Sequence, residues 1–134
     1  MTTIETKKAV SPNSAEKLFA FLTDMNNFEK LMPEDKIEKW TSEKDQCEFT
    51  IKGMARIGLK LKDTEAPNKI TVESFGKVPF PFDLEIYLDE KSESETETCM
   101  IFKGEINAFM KMMVEKPLKN FFEMLVDKAA KLSL

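Results

Sequence analysis

Histidine is absent from this chain. With it go the commonest general base, the commonest activator of a nucleophile and the commonest metal ligand. Arginine occurs once, at Arg56; every other cationic side chain is a lysine. Lysine and glutamate are interspersed and the net charge is −4, so the clustered basic face that holds nucleic acid is missing. The two cysteines, Cys47 and Cys99, fall in separate strand-like segments with no Cys-x-x-Cys pair. They can form one disulfide or remain two buried thiols, and without a secretion signal the thiols are the expected state. No apolar run approaches the roughly 18–20 residues that span a bilayer. The opening Met1-Thr-Thr-Ile-Glu-Thr-Lys-Lys8 has no apolar signal core. The expectation is a cytoplasmic protein with no stable membrane insertion. A Gly-rich phosphate loop, a nucleophile elbow and a calcium-loop pattern are also lacking. No catalytic residue, cofactor or metal site is expected.

What remains is an ordinary globular balance, 42% hydrophobic and 33% charged. The 134 residues are enough for one domain with a sizeable core, taken as residues 1–134. Residues 3–10 alternate in polarity and read as a strand, with Ile4, Thr6, Lys8 and Val10 on one face. Ser11-Pro-Asn-Ser14 breaks it. Asn13 followed by Glu16 matches a capping box, and Ala15, Leu18, Phe19 and Leu22 form a helical stripe. A second short helix over residues 26–31 stops before Pro33.

From Ile37 the period changes to two. Strands are read at residues 37–42, 46–52, 57–62, 70–75, 82–88 and 98–107, joined by short turns, which gives about seven antiparallel strands in all. The turn at residues 76–81, Gly-Lys-Val-Pro-Phe-Pro, is unusually apolar. The chain then closes on a long amphipathic stretch with Leu118, Phe121, Phe122, Leu125, Ala129 and Leu132 at helical spacing. Of these, Leu118, Phe121, Phe122, Leu125 and Ala129 are expected to be buried, and Lys119, Glu123 and Lys128 to be exposed. Pro117 either kinks this helix or starts a new one.

The order strand, two short helices, six strands, long helix resembles the helix-grip fold of the SRPBCC superfamily, which includes START domains, birch-pollen-type allergens and polyketide cyclases. Particular residues carry the likeness. Ser11-Pro12 opens a helix, followed by Leu18-Phe-Ala-Phe-Leu-Thr-Asp24, Phe28 and Met32-Pro33. Late in the chain come Asn107 and Met112-Met-Val-Glu-Lys-Pro-Leu-Lys-Asn-Phe-Phe122. The resemblance covers essentially the whole chain. It implies an α+β fold, a curved antiparallel sheet wrapped on the C-terminal helix with an apolar cavity between them. It also implies a cavity mouth formed by residues 32–36, 53–56 and 76–81 and the start of the final helix at residues 109–113. No family catalytic residue maps onto this chain.

On that geometry the candidate ligand-binding residues are Met32, Met54, Arg56, Val78, Phe80, Phe109, Met110 and Met113. Each has a second reading. Nine methionines suit an adaptable apolar site, or fill a core. Val78-Pro-Phe-Pro-Phe82 is a lid or docking patch, or folds back onto the core. Arg56 fixes an anionic head group, or is a solvated loop charge. Tyr87 shares a face with Asp83 and Glu85 and is expected to point outward. The leading function is binding or transport of a hydrophobic small molecule (lipid-, quinone- or polyketide-like) by a monomer or weak homodimer. The alternatives are a cyclase- or dehydratase-type enzyme, which needs an inward acid or base, and a protein-interaction domain using the Val78–Phe82 patch.

Overall fold

A computed structural model describes residues 1–134. Its elements in chain order are β1 (Thr2–Glu5), β2 (Ala9–Ser11), α1 (Ala15–Leu22), a 3-10 helix (Met25–Leu31), β3 (Ile37–Ser42), β4 (Gln46–Ile51), β5 (Ala55–Glu65), β6 (Lys69–Ser74), β7 (Phe82–Ser92), β8 (Glu95–Gly104) and α2 (Ala108–Ala130). The strands form one antiparallel sheet in the order β1-β8-β7-β6-β5-β4-β3, with β2 also paired to β8. Consecutive strands from β3 to β8 are neighbours, so short hairpins suffice to connect them. Register shifts in β3, in β5 after Leu61 and in β7 after Glu90 let long strands bend. The sheet curls and α2 lies across its inner face, as the helix-grip expectation required.

The single strand read over residues 3–10 is two strands. Thr2, Ile4 and Thr6 are buried, but the phase changes before Ser11. Thr6 makes the break. Its backbone N–H donates to Met100 O at 3.0 Å, and its hydroxyl accepts from Met100 N–H at 2.9 Å. A side chain thus takes one place in the ladder, and the next residues step out of register. Val10, expected on the face of Ile4, is 49% exposed as a result.

The start of α1 also differs from expectation. Ser14 is the N-cap, its hydroxyl accepting from Lys17 N–H at 3.3 Å. Asn13 is buried and does other work. Its amide donates to Ser11 Oγ at 2.8 Å and Leu132 O at 2.7 Å, and its oxygen accepts from Leu134 N–H at 2.9 Å. Asn13 thereby ties the end of the chain to the entrance of α1.

The core lies between the inner face of the sheet and the helices. As expected, Leu118, Phe121, Phe122, Leu125 and Ala129 of α2 are buried and Lys119 and Lys128 are exposed. Glu123 is half-buried, because its carboxylate accepts from the backbone N–H of Lys7 at 3.1 Å. Both cysteines are buried free thiols. Burial, then the neighbouring Glu48 charge, pushes the Cys47 thiol up to about 12, so it stays a protonated, unreactive packing group.

Candidate functional site

The space between sheet and helix is filled with rings. Trp40 stacks on Phe49 at 5.7 Å between centroids and Phe49 on Phe121 at 6.0 Å. Phe121 meets Phe122 at 5.8 Å, Phe122 meets Phe102 at 5.6 Å, and Phe102 meets Phe82 at 5.1 Å and Phe80 at 6.1 Å. About 10 Å³ stays open among these side chains, no more than a single water needs. The enclosed cavity expected under α2 is therefore occupied by this chain's own aromatics.

One open space lies outside that aromatic layer, among loops expected to form a mouth. A groove of about 480 Å³ runs between the β4–β5 turn, the β6–β7 loop and the face of α2 from Met110 to Met124. Its volume is within the range of small-molecule sites. Each wall has a local cause. At the first wall, Gly53 has φ +78°, a conformation open to glycine. Met54 N–H closes the turn on Ile51 O at 3.0 Å, and Met54 and Ala55 face the groove.

At the second wall, Gly76 turns the chain at φ +73° and Pro79 and Pro81 bracket Phe80. Phe82 N–H donates to Ser74 Oγ at 3.0 Å, and Glu105 N–H to Pro81 O at 3.0 Å. This loop sets Phe80, 5% exposed, edge-on against Phe102. At the third wall, Asn107 caps α2 by accepting from Met110 N–H at 2.8 Å. Met110, Met113, Pro117, Asn120 and Met124 then line the groove at helical spacing, with Val114 beside them. Ile51, Phe80 and Phe121 form both the groove floor and the roof of the filled interior.

Of the eight candidate residues, Met54, Phe80, Met110 and Met113 meet in this groove. The other four lie elsewhere. Met32 is buried in the core. The 3-10 helix before it turns every three residues, which buries Met25, Phe28 and Leu31 in one stripe and carries Met32 inward with them. Phe109 is 74% exposed, because it sits about 100° around the helix from Met110. Val78 is half-buried in the loop and outside the groove lining.

Arg56 lies within β5, on the face opposite the buried Ile57 and Leu59. Its Nη1 donates to Lys39 O at 3.1 Å and to Thr50 Oγ1 at 3.3 Å, and its Nε is 3.6 Å from Glu48 Oε2. Lys39 has φ 56° at the β3 bulge. Arg56 thus holds the irregular carbonyl of that bulge and crosses three strands, so the loop-charge and head-group readings both give way to a sheet contact.

The Val78–Phe82 segment resolves in the same manner. Phe80 and Phe82 are both buried, so no exposed aromatic patch exists there for a partner. Tyr87 faces outward as expected, donating to Glu85 Oε1 at 3.0 Å. Glu85 also meets Lys69 at 3.4 Å and Lys103 at 3.1 Å. Burial pushes the Glu85 carboxyl up, but hydrogen bonds from Lys103 and Tyr87 and the charges of Lys69 and Lys103 outweigh it and hold it below its ordinary value. This cluster lies outside the groove.

The groove's ionisable side chains are two lysines, Lys36 and Lys52, which the sequence analysis did not single out. Pro117 and Asn120 also join the lining, and residues 110, 113, 117, 120 and 124 form a helical stripe of their own; Met124 is one of the methionines read as suited to an adaptable site.

With this geometry in view, solved structures place the fold. The chain matches a START superfamily protein from Mycobacterium smegmatis with a TM-score of 0.69 and 11% identity, over 98% of this chain and 99% of that one. It matches norcoclaurine synthase from Thalictrum flavum, in complex with dopamine and hydroxybenzaldehyde, at 0.71 and 12%, over 97% and 84%. A conserved protein from Geobacillus kaustophilus matches at 0.69 and 13%, over 97% and 93%. The fold is the START-like helix-grip fold. No family model and no curated protein matches the sequence. No helix is long and apolar enough to cross a membrane.

Proposed function

We propose that the protein binds a hydrophobic small molecule in the methionine-lined groove between the β4–β5 turn, the β6–β7 loop and the Met110–Met124 face of α2. The observation that carries this reading is the coincidence of about 480 Å³ of open space with Met54, Met110, Met113 and Met124 on its walls. Unbranched thioethers re-pack around differently shaped ligands at small cost. The START-like fold supports the reading by analogy, since its members include hydrophobic-ligand binders. In this reading the ligand lies on the groove floor of Ile51, Phe80 and Phe121, since side chains fill the space under the helix.

Covering about 300 Å² of apolar ligand surface is worth roughly 7 kcal/mol before the costs of association. Those costs bring the expected affinity to about micromolar. An enzymatic reading has less support, because no aspartate, glutamate or tyrosine is among the groove-lining residues and the two lysines there, Lys36 and Lys52, are exposed rather than inward. The test uses Nile red, a neutral flat dye, followed by fluorescence and by the melting temperature. Saturable binding with an upward thermal shift is expected. Met54→Glu is expected to abolish both, because the dye would desolvate a carboxylate. A wild-type protein that binds neither Nile red nor a long-chain alcohol rules the groove out as a ligand site.

A further inference from the structure

We infer that the groove selects a single-chain amphiphile with an anionic head, the apolar chain lying along the methionine wall and the head held by Lys36 and Lys52. The inference rests on the groove reading above and names its ligand class. Three observations carry it. First, all the formal charge lining the groove is of one sign: Lys36 and Lys52 are present and no carboxylate joins them. This runs against the chain as a whole, whose net charge is −4. Local placement, not overall composition, makes the rim cationic.

Second, the backbone fixes the two lysines as a pair. Lys36 leads into β3 and Lys52 follows β4, and Lys52 N–H donates to Lys36 O at 2.9 Å. Their ammonium groups therefore rise from one end of one hairpin.

Third, neither charge is committed elsewhere. Lys52 has no carboxylate within ion-pair distance, and the partner of Lys36 is its exposed chain neighbour Asp35 at 4.0 Å. Other lysines are closely engaged, such as Lys62 with Asp83 at 2.9 Å and Lys103 with Glu85 at 3.1 Å. A ligand carboxylate at the rim could accept from both ammonium groups without breaking a close pair or burying a lone charge. The opposite wall adds the neutral amide of Asn120, which does not repel an anion.

The experiment compares dodecanoic acid, dodecanol and dodecylammonium as competitors of Nile red, at mildly alkaline pH where the acid is ionised. The three share a chain and differ in the head. The acid is expected to bind about five- to tenfold more tightly than the alcohol, the yield of two solvent-facing charge-assisted contacts. The amine is expected to be the weakest of the three. In the double variant Lys36→Gln, Lys52→Gln the acid-to-alcohol ratio is expected to fall to near one, the loss falling on the acid far more than on dodecanol. Added salt should lower the wild-type ratio and leave dodecanol untouched. Equal binding of acid and alcohol by the wild type overturns the inference while the groove reading stands. So does a ratio that survives in the double variant, or an amine that binds as well as the acid. If Nile red and all three competitors fail to bind, the groove reading falls and this inference with it.

Discussion

Helix α2 is two different objects joined at Pro117. Residues 118–129 press Leu118, Phe121, Phe122, Leu125, Val126 and Ala129 into the core. Residues 108–117 contain no buried side chain at all; Phe109, Met112 and Met113 are 74%, 87% and 62% exposed. The compositions differ accordingly. The buried half uses rings and branched aliphatics, which hold defined rotamers and pack to a fixed shape. The exposed half uses methionines, whose three rotatable bonds let them follow the shape of something else. One helix thus supplies the rigid filling that closes the interior and most of the deformable wall of the groove outside it, which Asn120 and Met124 continue past Pro117.

The strongest way to break this comparison is in the buried half. Phe122 is 5% exposed and touches both Phe102 and Phe121. Phe122→Ala is expected to lower unfolding stability by about 3–5 kcal/mol, the cost of lost transfer energy plus a cavity among rings that cannot collapse. Denaturant unfolding measures it. A loss below about 1 kcal/mol would mean that the interior is loosely packed and open to ligand after all.

The junction itself is the next test. Pro117 is the one proline inside α2. It has no N–H to give the carbonyl of Met113 one turn earlier, and its ring crowds that carbonyl. Pro117→Ala is expected to restore the hydrogen bond and raise stability by about 1–3 kcal/mol, the range for a helix interior. The gain should be read as a higher denaturation midpoint with an unchanged slope. A loss of stability would show that the fold requires the interruption and that the two halves are held apart by it.

Much of this division was legible in the sequence. The spacing of Leu118, Phe121, Phe122, Leu125 and Ala129 picked out the buried face, because an amphipathic stripe follows directly from 3.6 residues per turn. The strand alternation from Phe82 to Leu88 survived for the same kind of reason. Local exceptions were not legible. The hydroxyl of Thr6 substitutes for a ladder group and shifts the phase of the first strand, which alternation alone does not register. The β4–β5 turn is shorter than the break read at residues 53–56, so Arg56 belongs to a strand and faces away from the groove. The fold resemblance pointed to loops that do wall one groove, and hence to Met54, Phe80, Met110 and Met113 as neighbours in space. It did not reveal that the interior behind the mouth is filled, since that depends on how Phe49, Phe80, Phe82, Phe102, Phe121 and Phe122 turn toward one another. Lys36 and Lys52 escaped notice because a lysine among 20 cationic residues carries no signal until its neighbours in space are known.

The smallest effect on stability gives the sharpest test of the exposed half. Met112 and Met113 are adjacent, chemically identical and both exposed. They differ in direction, since consecutive residues sit about 100° apart on a helix. Met113 lines the groove and Met112 does not. Glutamate at either position stays in solvent and keeps a residue of reasonable helix propensity, so each change is expected to alter stability by less than about 0.5 kcal/mol. Their effects on binding should separate. Met113→Glu puts a carboxylate where the dye must lie, and Nile red affinity is expected to fall at least tenfold, on the order of the 1–3 kcal/mol cost of desolvating a polar group without a partner. Met112→Glu points into solvent and should leave the affinity within about twofold, as surface changes away from a contact do. Equal losses in both variants would mean that the whole exposed half of α2 carries the dye as an open apolar surface. Equal retention would move the ligand off the helix and onto the turn at Met54.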